Sequence, residues 1–106
     1  PDHSKNFMVY GPYTTSVPAG FYEVYFRMMV DNNTADNSKV VRIDAHDSYQ
    51  MDVLAAKDVY RQQFNGAFSY QDFSVTFYTD GNDKLEFRVE WNDAAYIKVD
   101  RIILKP

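Results

Sequence analysis

Residues 84–104 of this 106-residue chain read KLEFRVEWNDAAYIKVDRIIL. In the first part, apolar side chains alternate with charged ones: Leu85, Phe87, Val89 and Trp91 against Lys84, Glu86, Arg88 and Glu90. That period of two predicts a β-strand with one buried and one solvated face. The second part alternates less regularly because Ile102 and Ile103 are consecutive, which indicates a bulge or an end covered on both faces. We expect the two parts to form a β-hairpin whose apolar face is covered by the upstream chain.

Further strands are indicated upstream. Phe21–Val30 is apolar or aromatic on both faces, which favours a central strand. Shorter alternating segments follow at Val40–Ala45, Tyr49–Ala56 and Phe73–Tyr78, with a turn expected at His46-Asp47-Ser48. Lys57–Phe64 fits either a short helical turn or a strand plus loop, and its β-formers and the Asn65-Gly66 turn pair favour the second. Roughly seven or eight short strands predict an all-β fold, a two-sheet antiparallel β-sandwich.

Composition narrows the classes of function. The formal net charge is −4 and Lys and Arg do not cluster, which argues against binding to nucleic acid or to an anionic membrane surface. No apolar run approaches the ~20 residues of a membrane span. The chain has no cysteine, which excludes disulfides and cysteine-bound metals. The length predicts one monomeric module over residues 1–106, and the abrupt start at Pro1-Asp2-His3 suggests excision from a larger multidomain protein.

Catalytic patterns are weak. The histidines His3 and His46 are far apart, and the serines lack nucleophile-elbow spacing. His46 is therefore expected to be a surface or turn residue. Two pairs of carboxylates are close in sequence, Asp44 with Asp47 and Glu86 with Glu90, but strand alternation is expected to point them to solvent. We expect that this chain is not an enzyme.

Two segments are candidates for a metal ion. The loop Asp31–Asn37 is rich in side-chain oxygens suited to calcium, although it lacks the glycine and distal glutamate of the helix-loop-helix calcium motif. An ordinary solvated connection is the favoured interpretation there. Asp100 interrupts an apolar strand, and a buried carboxylate needs a cation or several donors. The alternative is that Asp100 points outward or pairs with Arg27 or Arg88.

The chain is rich in aromatic residues, with nine Tyr, eight Phe and one Trp, and the excess of Tyr over Phe favours rings with one solvated end. Trp91 directly precedes Asn92-Asp93, so a large ring lies beside polar groups at a connection. Sugar rings stack on Trp and Tyr while their hydroxyls bond to such groups. Alternation also places Trp91 on the core face, so packing is an equal alternative. Tyr60, near the Asn65-Gly66 turn, is a second candidate platform.

Four short segments occur in an order typical of one family: Gly11-Pro12-Tyr13, Pro18–Arg27, Leu85–Val89 and Val99–Ile102. Together they resemble the galactose-binding-like jelly roll of carbohydrate-binding modules such as those of families 6 and 35. The resemblance spans Gly11 to Leu104 and implies a β-sandwich that binds carbohydrate.

The resemblance also implies roles for single residues. The family's closing-strand aspartate, matched by Asp100, ligates a structural calcium, although Ser4–Tyr10 lacks the acidic partners of the family's first strand. Lys98 stands where an asparagine commonly contacts sugar, which implies either a changed site or a ligand with an acidic group. Trp91 is the loose match of a family tryptophan.

We therefore expect a non-catalytic carbohydrate-binding module, secreted or on the cell surface, that targets an attached glycan-active enzyme to its substrate. Its site is predicted at Trp91, Asn92, Asp93, Lys98 and Tyr60, with calcium at Asp100 and no other cofactor. The alternative is a structural or protein-interaction β-sandwich that acts as a spacer. A binder should expose two or more rings at one loop end, whereas a spacer should bury them.

Overall fold

The computed structural model describes residues 7–10, 17–92 and 95–106. Within these ranges the secondary structure consists of strands and one short 3₁₀ turn, without an α-helix. The elements in chain order are β1 (Phe7–Tyr10), β2 (Gly20–Val30), β3 (Lys39–Asp47), β4 (Asp52–Tyr60), the 3₁₀ turn (Arg61–Gln63), β5 (Gln71–Thr79), β6 (Leu85–Trp91) and β7 (Ile97–Lys105). The ambiguous segment 57–64 thus contains the end of a strand followed by the short helical turn.

The strands form two antiparallel sheets. One sheet has the order β1-β6-β3-β4 and the other β5-β2-β7. The predicted all-β, two-sheet sandwich is confirmed. The prediction that Phe21–Val30 is a central strand is also confirmed, because β2 lies between β5 and β7.

The expected C-terminal hairpin is wrong. β6 pairs with β3 and β1 in the four-stranded sheet, whereas β7 pairs with β2 in the other sheet. The Asn92 N–H still donates to the Val40 carbonyl at 3.2 Å, so the chain leaves β6 while held to β3 and then crosses the sandwich. The apolar faces of β6 and β7 therefore meet across the core rather than side by side. The irregularity expected near Ile102 lies at Asp100, which the pairing of β7 with β2 skips.

The core lies between the sheets and follows the period of two. β2 contributes alternate residues from Val24 to Val30, and the inner positions of β3, β5 and β6 face them: Val41, Ile43, Ala45, Phe73, Val75, Phe77, Leu85, Phe87 and Val89. The rings of Phe77 and Phe87 lie 5.9 Å apart and join the two sheets. Burial of these apolar side chains is the main stabilising contribution to the fold.

Several polar residues expected at the surface are buried, and those predictions are wrong. Asp44 is only 3% exposed and accepts hydrogen bonds from Arg88 Nε at 2.9 Å and Nη2 at 2.7 Å. His46 is also buried, and its Nδ1 lies 3.0 Å from Glu86 Oε1. Alternation does direct both side chains away from the core, but each faces its partner in register on β6, and a paired charge tolerates burial.

Asp47 is the third buried polar residue of β3. The strand continues through it, so the turn expected at His46-Asp47-Ser48 begins only at Ser48. The Asp47 carboxylate accepts the backbone N–H groups of Lys84 at 2.9 Å and Tyr49 at 3.0 Å. It therefore ties the β3–β4 turn to the β5–β6 connection, a role that a solvated side chain would not have.

Candidate functional site: the loop rim

Three connections meet at one end of the sandwich: residues 31–38 between β2 and β3, 61–70 between β4 and β5, and 92–96 between β6 and β7. We call this end the loop rim. The strands are antiparallel, so alternate connections lie at the same end. Residues 93 and 94 are outside the described part of the chain, so the predicted site residue Asp93 is not placed.

Arg61, in the β4–β5 connection, is hydrogen-bonded to the β2–β3 connection. Its side chain is buried, and its Nε donates to Asp36 Oδ1 at 2.9 Å while Nη1 donates to the Asn32 carbonyl at 2.7 Å. Its backbone N–H donates to the Ser38 carbonyl at 2.9 Å. A buried guanidinium needs such acceptors, and Asp36 and Asn32 both belong to the β2–β3 connection. Sequence reasoning missed this residue because it lies in the ambiguous segment.

The oxygens of the β2–β3 connection, considered above as calcium ligands, are used within the chain. Asn32 Oδ1 accepts the N–H groups of Thr34 and Ala35, both at 2.9 Å. The pKa of Asp36 is lowered, first by the backbone N–H of Ser38 and then by its hydroxyl and by Arg61. Among residues 7–10, 17–92 and 95–106, no three His, Asp or Glu side chains are grouped to hold a metal ion. The loop is therefore a hydrogen-bonded connection.

Aromatic rings are exposed at the rim. Phe68 is 69% exposed, Tyr96 58% and Tyr60 41%. The Val30 carbonyl accepts the Phe68 N–H at 2.8 Å, and the Asp31 N–H donates to the Tyr96 carbonyl at 3.2 Å. The Val30 C=O and Asp31 N–H belong to one peptide group and point to opposite sides. Phe68 and Tyr96 therefore flank the end of β2, about two strand spacings or ~9.5 Å apart.

Phe68 has an unfavourable backbone conformation. Its φ angle is +57°, in the left-handed region that favours glycine or asparagine over a bulky side chain. Such a conformation costs about 1–2 kcal/mol, and a mostly exposed ring recovers little of this through burial. A bulky exposed ring at a strained position is a feature found more often at functional sites than elsewhere. The signal in the sequence was only the preceding Asn65-Gly66 pair.

The predicted site residues are only partly brought together. Trp91 ends β6 half-buried against the core, as its alternation allowed, and Asn92 beside it is exposed. Val59 on β4 is buried on the core face, which is also the face of Trp91. Tyr60 is the next residue, so its side chain projects from the other face of the four-stranded sheet. The two candidate platforms are thus separated by the sheet and cannot stack on one sugar ring.

Lys98 and Asp100 lie on β7. Lys98 is exposed, two residues beyond Tyr96, and forms no ion pair with a described residue. Asp100 is exposed and accepts a hydrogen bond from Arg101 Nε at 3.1 Å, with Arg27 Nε at 3.7 Å. This is the outward, arginine-paired arrangement given above as the alternative to a buried Asp100. Calcium at Asp100 stays a prediction.

Exposed rings also occur at the opposite end, so they are not confined to one rim. Phe21 is 71% exposed and lies edge-on to Tyr78, with ring centroids 5.2 Å apart. Tyr49 is exposed in the β3–β4 turn, with Lys84 Nζ 5.5 Å from its ring centroid. Each of these rings has a ring or lysine partner nearby, whereas no such partner of Phe68 occurs among the residues that the structure describes.

In the described part of the chain, no helix has both the length and the apolar character to cross a membrane.

Comparisons with known proteins support the fold. No protein-family model matches the chain, and no curated protein matches it. Among solved structures, the chain is similar to the carbohydrate-binding module CBM6cm-2 of lichenase 5A from Cellvibrio mixtus, determined in complex with cellotriose. The TM-score is 0.63 at 13% sequence identity, over 94% of this chain and 70% of that one. The resemblance inferred from the sequence is thus confirmed as a resemblance of fold: this chain has a β-sandwich similar to that of this carbohydrate-binding module.

Proposed function

We propose that this protein is a non-catalytic carbohydrate-binding module whose ligand lies on the loop rim. The observation that carries the proposal is the pair of exposed rings, Phe68 and Tyr96, on either side of the end of β2. The fold shared with a module solved in complex with cellotriose supports carbohydrate as the ligand class. The rim, with more than one exposed ring, has the feature expected of a binder rather than of a spacer.

The chemistry of the rim suits a sugar. Aromatic faces pack against the C–H faces of a sugar ring, and nearby amides and carboxylates bond to its hydroxyls. Asn92 is exposed beside the ring of Trp91, and Asn32 is exposed on the β2–β3 connection. The Arg61 bonds hold that connection in place before any ligand arrives, which lowers the entropic cost of binding.

Lys98 favours a ligand with an acidic group. In an extended chain, Tyr96 and Lys98 project to the same side about 6.6 Å apart. An exposed ammonium without an ion-pair partner among the described residues can bond to a carboxylate on a sugar stacked at Tyr96. We therefore place a glycan carrying carboxylates ahead of a neutral one.

In this proposal the module works outside the cell as part of a larger protein. It would raise the local concentration of an attached glycan-active enzyme on its polysaccharide. Asp93 and Tyr60 remain candidate contacts at the margins of the rim, and Trp91 acts mainly by packing against the core.

The test is an affinity-gel and glycan-array screen that includes cello-oligosaccharides and uronic acid-containing polysaccharides, with and without EDTA. Phe68→Gly and Tyr96→Ala remove the rim rings, and Phe21→Ala is the matched control for an exposed ring at the other end. We expect retention of the wild type and the control, loss for both rim variants, and reduced retention on acidic glycans for Lys98→Gln. Loss on EDTA addition would support calcium at Asp100.

The main alternative is a protein-interaction or spacer domain, which the exposed Phe21–Tyr78 pair favours. No retention of folded wild type on any glycan would overturn the carbohydrate proposal in favour of this one. Retention that is lost only in Phe21→Ala would move the binding site to the opposite end of the molecule.

A further inference from the structure

We propose that Asn65 is a site of spontaneous deamidation in the folded protein, which converts a neutral residue of the loop rim into a carboxylate. The site lies in the β4–β5 connection, three residues before the exposed ring of Phe68. The inference does not depend on what the rim binds.

The reaction is an internal cyclisation. The Gly66 backbone nitrogen, after loss of its proton to hydroxide, attacks the side-chain carbonyl carbon of Asn65. The new C–N bond closes a succinimide, and the side-chain amide nitrogen leaves as ammonia with a proton from water. Water then opens the ring at either carbonyl, which gives aspartate or isoaspartate at position 65. Water is the only other reactant.

The surroundings of Asn65-Gly66 permit this attack. Asn65 is exposed, and apart from the two chain neighbours of Gly66 no residue has a heavy atom within 4 Å of where a Cβ on Gly66 would be. None of the described residues accepts a hydrogen bond from the Gly66 N–H. Glycine also has no side chain of its own to obstruct the approach of its nitrogen.

Residues 65–67 lie between two anchored residues, Phe64 and Phe68. Phe64 is buried in the core, and the Phe68 N–H is bonded to the Val30 carbonyl at 2.8 Å. Asn65 itself donates its backbone N–H to Gln71 Oε1 at 2.8 Å, which leaves its side chain and the next peptide group unconstrained. The rotation needed for ring closure therefore involves few atoms and no core residue.

The chain contains a second pair that can form a succinimide, Asp80-Gly81, and the reacting groups of this pair are hydrogen-bonded. Gly81 follows Asp80, but the Gly81 N–H donates to Thr79 Oγ1 at 3.2 Å, and Asp80 Oδ1 accepts the Asn82 N–H at 2.8 Å. A Cβ at Gly81 would lie 3.1 Å from the Ala19 nitrogen, so the surrounding backbone is close. Both reacting groups are thus engaged, and the folded structure should protect this pair.

Deamidation at Asn65 would change the loop rim. The product places a negative charge near Phe68, and its isoaspartate form adds a methylene to the main chain between Phe64 and Phe68. The isoaspartate form therefore alters the backbone that presents the Phe68 ring, and both forms change the charge beside it.

The experiment ages the folded protein in mildly alkaline buffer and maps it by mass spectrometry with fragmentation that separates aspartate from isoaspartate. Trypsin cleaves after Arg61 and Lys84, so one peptide carries both glycine pairs. We expect conversion at position 65 in the folded protein at this pH. Asp80 forms its succinimide by loss of water from the protonated carboxyl group, so its isomerisation is measured in mildly acidic buffer, where we expect none above background in folded protein and reaction in urea. Gly66→Ala, which has room for its Cβ, should slow the reaction at 65 and leave the fold intact.

Other outcomes count against the proposal. Conversion at 65 in urea but not in the folded protein would show that the fold protects Asn65. Equal conversion at 65 and at other asparagines, or no slowing by Gly66→Ala, would show that Gly66 is not the attacking group. None of these results bears on glycan retention, so the failure of either proposal can be told from the failure of the other.

Discussion

The buried pair Asp44–Arg88 allows a quantitative test of the four-stranded sheet. We expect Asp44→Asn to destabilise the protein because Arg88 loses a carboxylate that accepts two short hydrogen bonds, at 2.9 and 2.7 Å. Those bonds raise the pKa of Arg88 in the wild type. The guanidinium stays charged in the variant as well, because arginine does not lose its proton at neutral pH.

The expected magnitude follows from burial. Cutting a buried ion pair costs about 3–5 kcal/mol. The Asp44 side chain is 5% exposed but that of Arg88 is 20% exposed, so partial hydration of Arg88 places the cost at the lower end, about 3 kcal/mol. With a slope of about 1–1.5 kcal/mol per molar urea, the unfolding midpoint should fall by roughly 2–3 M.

The assay is urea unfolding at pH 7 followed by the fluorescence of Trp91, the single tryptophan. Asp44→Asn combined with Arg88→Gln is the control, since it removes the buried guanidinium together with its carboxylate partner. We expect the double variant to be more stable than Asp44→Asn alone. A change below about 0.5 kcal/mol in Asp44→Asn, the level typical of surface substitutions, would refute the reasoning.

Three further predictions follow from contacts elsewhere. Burial raises the pKa of Asp47, but the N–H groups that it accepts, from Lys84 first, outweigh burial and the pKa is lowered. Its contribution to stability is therefore present above about pH 4 and lost as pH falls through the lowered value, and Asp47→Asn should flatten the acid limb of a midpoint-against-pH series. Gly81→Ala should cost about 1–3 kcal/mol in thermal unfolding, because its φ is +90° and its Cβ would crowd the Ala19 backbone; an unchanged melting temperature would contradict this. Arg61→Met should speed amide hydrogen exchange across residues 31–38 while β2 and β3 remain protected, and unchanged exchange there would show that Arg61 does not hold the connection.

Alternation located most of the strands and their buried faces, although β4 begins at Asp52 rather than Tyr49 and continues to Tyr60. It did not predict which strands pair. β6 and β7 each have an apolar face and lie close in sequence, so a hairpin was the simplest arrangement. A period of two shows only that one face of a strand is buried. Two such strands can lie side by side in one sheet or face each other across the core from two sheets. The hydrogen-bonding partners of β6 are set by β3, more than 30 residues earlier, and no local pattern encodes that choice.

The site was harder to predict for a related reason. Arg61 and His46 have roles that depend on partners distant in sequence, Asp36 and Glu86, and each looked like an ordinary polar residue of a turn or surface. Phe68 was missed because its backbone angle, rather than its residue type, marks it out. Lys98 was predicted through a family resemblance and Asn92 through its position after Trp91, and both residues are exposed.

The central claim is that the Phe68 ring is kept at a strained position because it contacts a ligand. The most direct measurement is the stability of Phe68→Gly together with its retention on the glycan that retains the wild type. Glycine accepts a φ of +57° without a Cβ clash, so we expect equal or higher stability, by up to about 1 kcal/mol, with loss of glycan retention. Lower stability with retention unchanged would mean that the ring serves the fold, and the claim would be wrong.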